Sequence, residues 1–192
     1  SVPTTSDSAA TPNADLSTSG AARIEAGTGI GSVTNRIELA GVTTLAADGG
    51  TGAIWLRGTD TGGTLTIGTV NAVNAGSALS GLQTTGGNAD ITLTTRGSAL
   101  TVAQDVSTHG NGSIDLRTAS AGNIAINGAS LSSGGNGTIQ LVSGGGLTTD
   151  TDSGDVTTDD EIRTTGAVLL DVAGAIGAEG KRIEIADAGT LA

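Results

Sequence analysis

Apolar and polar residues alternate along this chain in short bursts, and the bursts recur. Four of them follow a glycine-rich lead: GTGAIWL at 50–56, GNADITL at 87–93, GNGSIDL at 110–116 and GNGTIQL at 135–141. Each ends in an apolar–x–apolar pair: Ile54/Leu56, Ile91/Leu93, Ile114/Leu116 and Ile139/Leu141. About ten residues later the first three are followed by a second pair, Leu65/Ile67, Leu100/Val102 and Ile124/Ile126. A third apolar point comes next: Val70 or Val73, Val106 and Leu131. A period of two is that of a strand with one buried face. The glycines, with Asn and Asp beside them, supply the tight turns. No segment keeps a 3.6-residue period over three turns, which predicts little or no helix.

Two or three short strands in every 20–25 residues predict an all-β chain, a parallel β-helix or β-solenoid of roughly eight coils. Each coil's strands would pair with the coils above and below. The predicted core ladder is Ile91, Leu93, Leu100, Val102, Ile114, Leu116, Ile124, Ile126, Ile139 and Leu141, stacked like on like. Trp55, Thr92, Asp115 and Gln140 would point outward; they share no chemistry, so this face reads as scaffold. The rhythm breaks twice. The 37-residue step from Ile54 to Ile91 leaves TVNAVNAGSALSGLQTTG as a partial coil or loop. After Leu141 the second pair decays to GGGLTTD, with Val156 as its replacement. An antiparallel sandwich or barrel is the competing all-β reading, with Asn127-Gly128 and Asn136-Gly137 as hairpin turns. The fixed phase of Ile-x-Leu after glycine favours the solenoid.

A longer repeat overlies the short one. DLSTSGAARIEAGTGIG at 15–31 aligns with EIRTTGAVLLDVAGAIG at 161–177, and GIGSVTNRIELAGVTTLA at 29–46 with AIGAEGKRIEIADAGTLA at 175–192. The offset is 146 throughout, so residues 1–46 correspond to 147–192. The expected organisation is a polar Ser/Thr/Ala-rich lead-in or irregular first coil at 1–14, then a solenoid segment at 15–192. One long unit plus about a third of the next reads as part of a longer array. End coils that expose unpaired strand edges favour association. The matching ends therefore predict self-association head-to-tail through the terminal coils.

The stretches AGAIGAEGKRIEIADAGTLA, GTGAIWLRGTDTGGTLTIGTV, GNADITLTTRGSALTVAQDVST and GNGSIDLRTASAGNIAING resemble the repeats of very large bacterial surface proteins, the filamentous-haemagglutinin-like and related β-strand-repeat exoproteins. The resemblance covers most of the chain and is weakest over 1–14. It implies a right-handed parallel β-helix, secretion to the cell surface or extracellular space, and a role as an adhesive shaft, extracellular fibre or biofilm component, with surface glycans or matrix as partners. The family's secretion domain is not matched here.

Composition narrows the chemistry. Trp55 is the only aromatic and there is no Cys or Met, so the core must be thin and built from Ile, Leu, Val and Ala. A net charge of −11 with eight basic residues leaves no basic stripe for nucleic acid. No run of about 18 apolar residues could span a bilayer. Asp150, Asp152 and Asp155, in TDTDSGDVTTDDE at 149–161, are the candidate calcium ligands. Their spacing fits neither an EF-hand nor the nonapeptide calcium roll, and a solvated turn is the simpler expectation; otherwise no cofactor is expected. His109 sits in STHGNG without a nucleophile elbow or cysteine, and reads as an exposed turn residue. Trp55 is the candidate surface contact, stacking on a sugar or a neighbouring chain, or else packing under the 69–89 insertion. The chain is not expected to be an enzyme. The alternative function is a carbohydrate-binding or carbohydrate-cleaving β-helix, which needs converging acids that the scattered charges do not suggest.

Overall fold

The computed structural model describes residues 14–73, 76–119, 121–150 and 160–192. Every regular element among them is a strand, and there is no helix. The chain opens with β1 (Leu16–Ser17), β2 (Ala21–Glu25), β3 (Ile37–Ala40) and β4 (Thr44–Asp48). Then come β5 (Ile54–Gly58), β6 (Thr64–Ile67), β7 (Thr69–Val70), β8 (Leu79–Ser80) and β9 (Leu82–Gln83). A regular middle follows: β10 (Ile91–Thr95), β11 (Ala99–Val102), β12 (Val106–Thr108), β13 (Ile114–Thr118), β14 (Ile124–Ile126), β15 (Leu131–Ser133) and β16 (Ile139–Ser143). The chain continues with β17 (Leu147–Thr149), β18 (Ile162–Arg163), β19 (Ala167–Val172), β20 (Ile185–Ala186) and β21 (Thr190–Leu191).

Two large parallel sheets hold all but two of these strands. One has eight strands in the order β1-β3-β5-β10-β13-β16-β19-β21. The other has eleven, in two arms that meet at β4: β6, β11, β14 and β17 on one side, β9, β12, β15, β18 and β20 on the other, with β2 also on β4. The middle of the chain visits the eight-stranded sheet, the first arm and the second arm in turn. The neighbour of each strand therefore lies one circuit away in sequence. Ile91 pairs with Ile114 and Ile114 with Ile139; Leu100 pairs with Ile124 and Val106 with Leu131.

Alternation decides what is inside. Ile54, Leu56, Ile91, Leu93, Ile114, Leu116, Ile139 and Leu141 project inward from the eight-stranded sheet, and all are fully buried. Leu100, Val102, Ile124 and Ile126 from the first arm, and Leu82, Val106, Leu131 and Ile162 from the second, complete one continuous core. In the eight-stranded sheet from β5 to β16 the inward residues stack Ile on Ile and Leu on Leu, so this part of the interior is filled by branched aliphatics without an aromatic ring.

The structure corrects the sequence reading at four places. The third apolar point of the first circuit is Leu82, paired with Val106, not Val70 or Val73. Residues 69–80 instead form an antiparallel hairpin of β7 and β8. Its Val70 and Leu79 pack on Ala46 of β4, while Val73 is fully exposed. That hairpin therefore covers the eleven-stranded sheet and not Trp55 on β5. After Leu141 the next inward pair is Leu147 and Thr149, in register with Ile124 and Ile126; Val156 lies outside the described residues. Asn127-Gly128 and Asn136-Gly137 do not close hairpins: β14 and β15 pair with strands of other circuits, as do β15 and β16.

Candidate functional surface

Buried hydroxyls line two of the corners between the sheets. Where the chain leaves the eight-stranded sheet, Thr95 Oγ1 donates to the Ser98 carbonyl at 2.7 Å, Thr118 Oγ1 to Gly122 at 2.5 Å and Ser143 Oγ to Gly146 at 2.9 Å. Where it returns, Thr84 Oγ1 donates to the Ala89 carbonyl at 3.2 Å, Thr108 Oγ1 to Gly112 at 2.6 Å and Thr164 Oγ1 to Gly137 at 2.6 Å. The hydroxyls give these corner carbonyls a buried donor, and Gly122 and Gly146 also accept from the amides of Gly145 and Ile124. A second column stands on the return turn. Asn88 Oδ1 accepts from the Asn111 amide at 2.9 Å, and Asn111 Oδ1 accepts from the Asn136 amide at 3.0 Å. These asparagines hold one circuit on the next.

The outer face of the eight-stranded sheet is the most distinctive surface. Trp55, Thr92, Asp115, Gln140 and Leu169 stand in one outward row, and Arg57, Thr94, Arg117, Val142 and Asp171 in the next. A shallow groove of about 270 Å³ runs beside the first row, lined by Trp55, Asp90, Thr92, Asp115, Thr138 and Gln140 among others. Much of its polarity is already engaged. Arg117 donates from Nε to Asp115 at 2.7 Å and from Nη2 to Gln140 Oε1 at 3.1 Å. Asp90 Oδ1 accepts from the Ser113 amide at 2.8 Å. Glu38, buried beside Arg57, forms an ion pair with it at 3.6 Å. Trp55 is half-buried.

The other sequence candidates are dispersed. His109 is exposed on a turn; its Nδ1 lies 3.1 Å from the Gly87 carbonyl oxygen and its amide donates to Thr84 Oγ1. Asp150 is exposed just after β17, and Asp152 and Asp155 lie outside the described residues. Among the described residues no three His, Asp or Glu side chains converge as a metal site, and no helix is long and apolar enough to cross a membrane.

The two sequence copies form a further feature. In the first, Leu16 pairs with Leu39 and Ala22 with Leu45; in the second, Ile162 pairs with Ile185 and Val168 with Leu191. Asp15 accepts from the Glu38 amide at 2.9 Å, and Glu161 from the Glu184 amide at 2.6 Å. Positive φ recurs at Gly31 (67°) and Gly177 (66°), and at Gly41 (70°) and Asp187 (60°), the last the only non-glycine residue in that region among those described. Yet the copies lie in opposite sheets. β1 and β3 belong to the eight-stranded sheet but β18 and β20 to the eleven-stranded one, and β2 and β4 are exchanged with β19 and β21 in the same way. Compared with family models, with curated proteins and with solved structures, the chain finds no match in any of the three.

Proposed function

We propose that the chain is a segment of a right-handed parallel β-solenoid shaft, about eight coils long, from a very large secreted bacterial surface protein of the filamentous-haemagglutinin-like kind. The observation that carries this reading is the ladder register. Strands one circuit apart, such as β10, β13 and β16, pair in parallel, residue for residue, with Ile on Ile and Leu on Leu. Such a core can be extended at either end without a change of design. Eight strands at about 4.8 Å spacing give a rod about 40 Å long. The shaft would act by reach and by stacking, as an adhesive stalk or a fibre on the cell surface. Electron microscopy of concentrated protein should show filaments of even width, with the 4.8 Å repeat along their axis in fibre diffraction. Antibodies against the chain should label intact source cells. A protein that stays monomeric at every concentration and is confined inside the cell overturns the proposal.

A second reading, a carbohydrate-binding β-helix, has the groove beside Trp55 in its favour. An indole next to Thr92, Asp115 and Gln140 offers a stacking surface with polar partners. Glycan-array binding that is lost in Trp55→Ala would favour it over a plain shaft.

A further inference from the structure

We infer that residues 15–46 and residues 161–192 are interchangeable occupants of one docking edge, formed by β15 and β16, and that the second occupant is residues 15–46 of another copy of this chain. The inference rests on the solenoid reading and specifies where and in what register two copies would join.

The two segments are the same piece of structure. They are identical at twelve of 32 positions, including Thr18/Thr164, Gly20/Gly166, Arg36/Arg182, Ile37/Ile183, Glu38/Glu184 and Leu45/Leu191. Their internal bonds match as well. The Thr18 amide donates to Ala40 at 3.0 Å and Thr164 to Ala186 at 3.4 Å; Thr43 donates to Gly20 and Gly189 to Gly166, both at 2.9 Å. The tight turn bonded between Ser32 and Asn35 returns between Ala178 and Lys181.

What differs is the neighbour on one side. In the second copy, β18 lies on β15 with Ile162 opposite Leu131 and Arg163 opposite Ser132. Likewise β19 lies on β16, with Val168 opposite Ile139 and Leu170 opposite Leu141. The equivalent sides of β1 and β2 carry no strand among the described residues. Transferred to the same edge, Leu16 would replace Ile162, Ser17 would replace Arg163, Ala22 would replace Val168 and Ile24 would replace Leu170. Every inward position stays apolar. Because β5 already lies on the opposite side of β3, the incoming copy could keep the rest of its fold.

The chain's own segment holds the edge by tethering. A short tether gives an effective concentration in the millimolar range, roughly a hundredfold above a 10 µM solution of a second copy. The smaller Ala22 in place of Val168 adds to that preference. Weakening β19 should therefore hand the edge to a second copy.

The chain has no cysteine, so introduced ones report cleanly. One chain of residues 1–192 would carry Val168→Asp and Ser132→Cys, and the other only Ser17→Cys. In the inferred register Ser17 sits opposite Ser132, within the Cα separation a disulfide needs. Co-refolded from urea and oxidised, the pair should give mixed disulfide at least tenfold above the same pair with Val168 intact. Mixed product no more abundant than the Ser132→Cys homodimer, with both chains folded by circular dichroism, overturns the inference. If Val168→Asp prevents folding, Val168→Ala leaves the tether as the main difference, and the mixed product should then appear as protein concentration approaches a millimolar. Its absence there also overturns the inference. Filaments with the axial 4.8 Å repeat but no Ser17–Ser132 link would remove this register alone and leave the shaft reading standing.

Discussion

Ile114 lies in the middle of the eight-stranded sheet, fully buried, with Ile91 on one side and Ile139 on the other. Ile114→Asp would place a carboxylate there with no cation to pair with, and should cost at least about 3 kcal/mol in urea unfolding. The hydroxyl corners predict smaller but sharper effects. Thr118→Val keeps the volume but removes the donor to the Gly122 carbonyl and the acceptor for the Gly144 amide. A loss of about 0.5–1.5 kcal/mol is expected, because the Gly122 carbonyl keeps the Gly145 amide and Ser143 Oγ, and the Gly144 amide keeps the Thr118 carbonyl. Gly41 and Gly128 give a controlled comparison, since both have positive φ. A methyl at Gly128 meets open space, so Gly128→Ala should cost only the left-handed conformation, about 1–2 kcal/mol. A methyl at Gly41 runs into the Thr18 carbonyl oxygen, so Gly41→Ala should cost clearly more in the same assay. The inward Ile and Leu were legible because alternation marks them directly. The corner hydroxyls were not: a Thr or Ser at a strand end looks like any turn residue until the fold shows it buried.

At the level of elements, the β7–β8 hairpin is an excursion from an otherwise regular circuit. The chain leaves at Gly68 and returns at Gly81, whose amide donates to the Gly68 carbonyl at 3.0 Å. Deleting residues 70–80 would leave Gly68, Thr69 and Gly81 between Ile67 and Leu82. The next circuit bridges the same gap with Ala103, Gln104 and Asp105. The shortened chain should fold, keep its β circular-dichroism signature and lose no more than about 2 kcal/mol, since only Ala46 is uncovered in the core. The same excursion explains why the third apolar point was misplaced. Val70 and Val73 are the nearest apolar residues after Ile67, and nothing local tells that the ladder pauses until Leu82. The decayed pair after Leu141 has a different cause. Thr149 fills the place where a second aliphatic was expected, and its hydroxyl is satisfied by Glu161 Oε1 at 2.9 Å. A buried polar pair breaks the apolar pattern on which the reading depended.

Across the whole molecule, the 146-residue offset could be read from the sequence, but the exchange of sheets between the copies could not. Circuits of unequal length, lengthened by the hairpin and by other loops, carry the second copy to a different face. That accident supplies an internal control on how context sets local stability. Residues 44–46 and 190–192 are both Thr-Leu-Ala, and each tripeptide lies beside a partner strand of the same sequence type. Leu45 is fully buried beneath β6 and β9, whereas Leu191 is 61% exposed in the last strand of its sheet. Intrinsic propensity is therefore the same and only packing differs. Stability in stacked repeats is a sum of local terms and neighbour interfaces, so a strand with one neighbour frays before a strand with two. Native-state hydrogen exchange should find the amides of 190–192 opening by local fraying. Those of 44–46 should open only when a large part of the stack comes apart. If that opening costs about 5 kcal/mol or more, the protection of the buried copy exceeds that of the exposed one by several thousandfold. Equal protection at the two tripeptides would mean that the last strand is held as firmly as an interior one. The graded, end-to-centre stability expected of a stacked shaft would then be wrong.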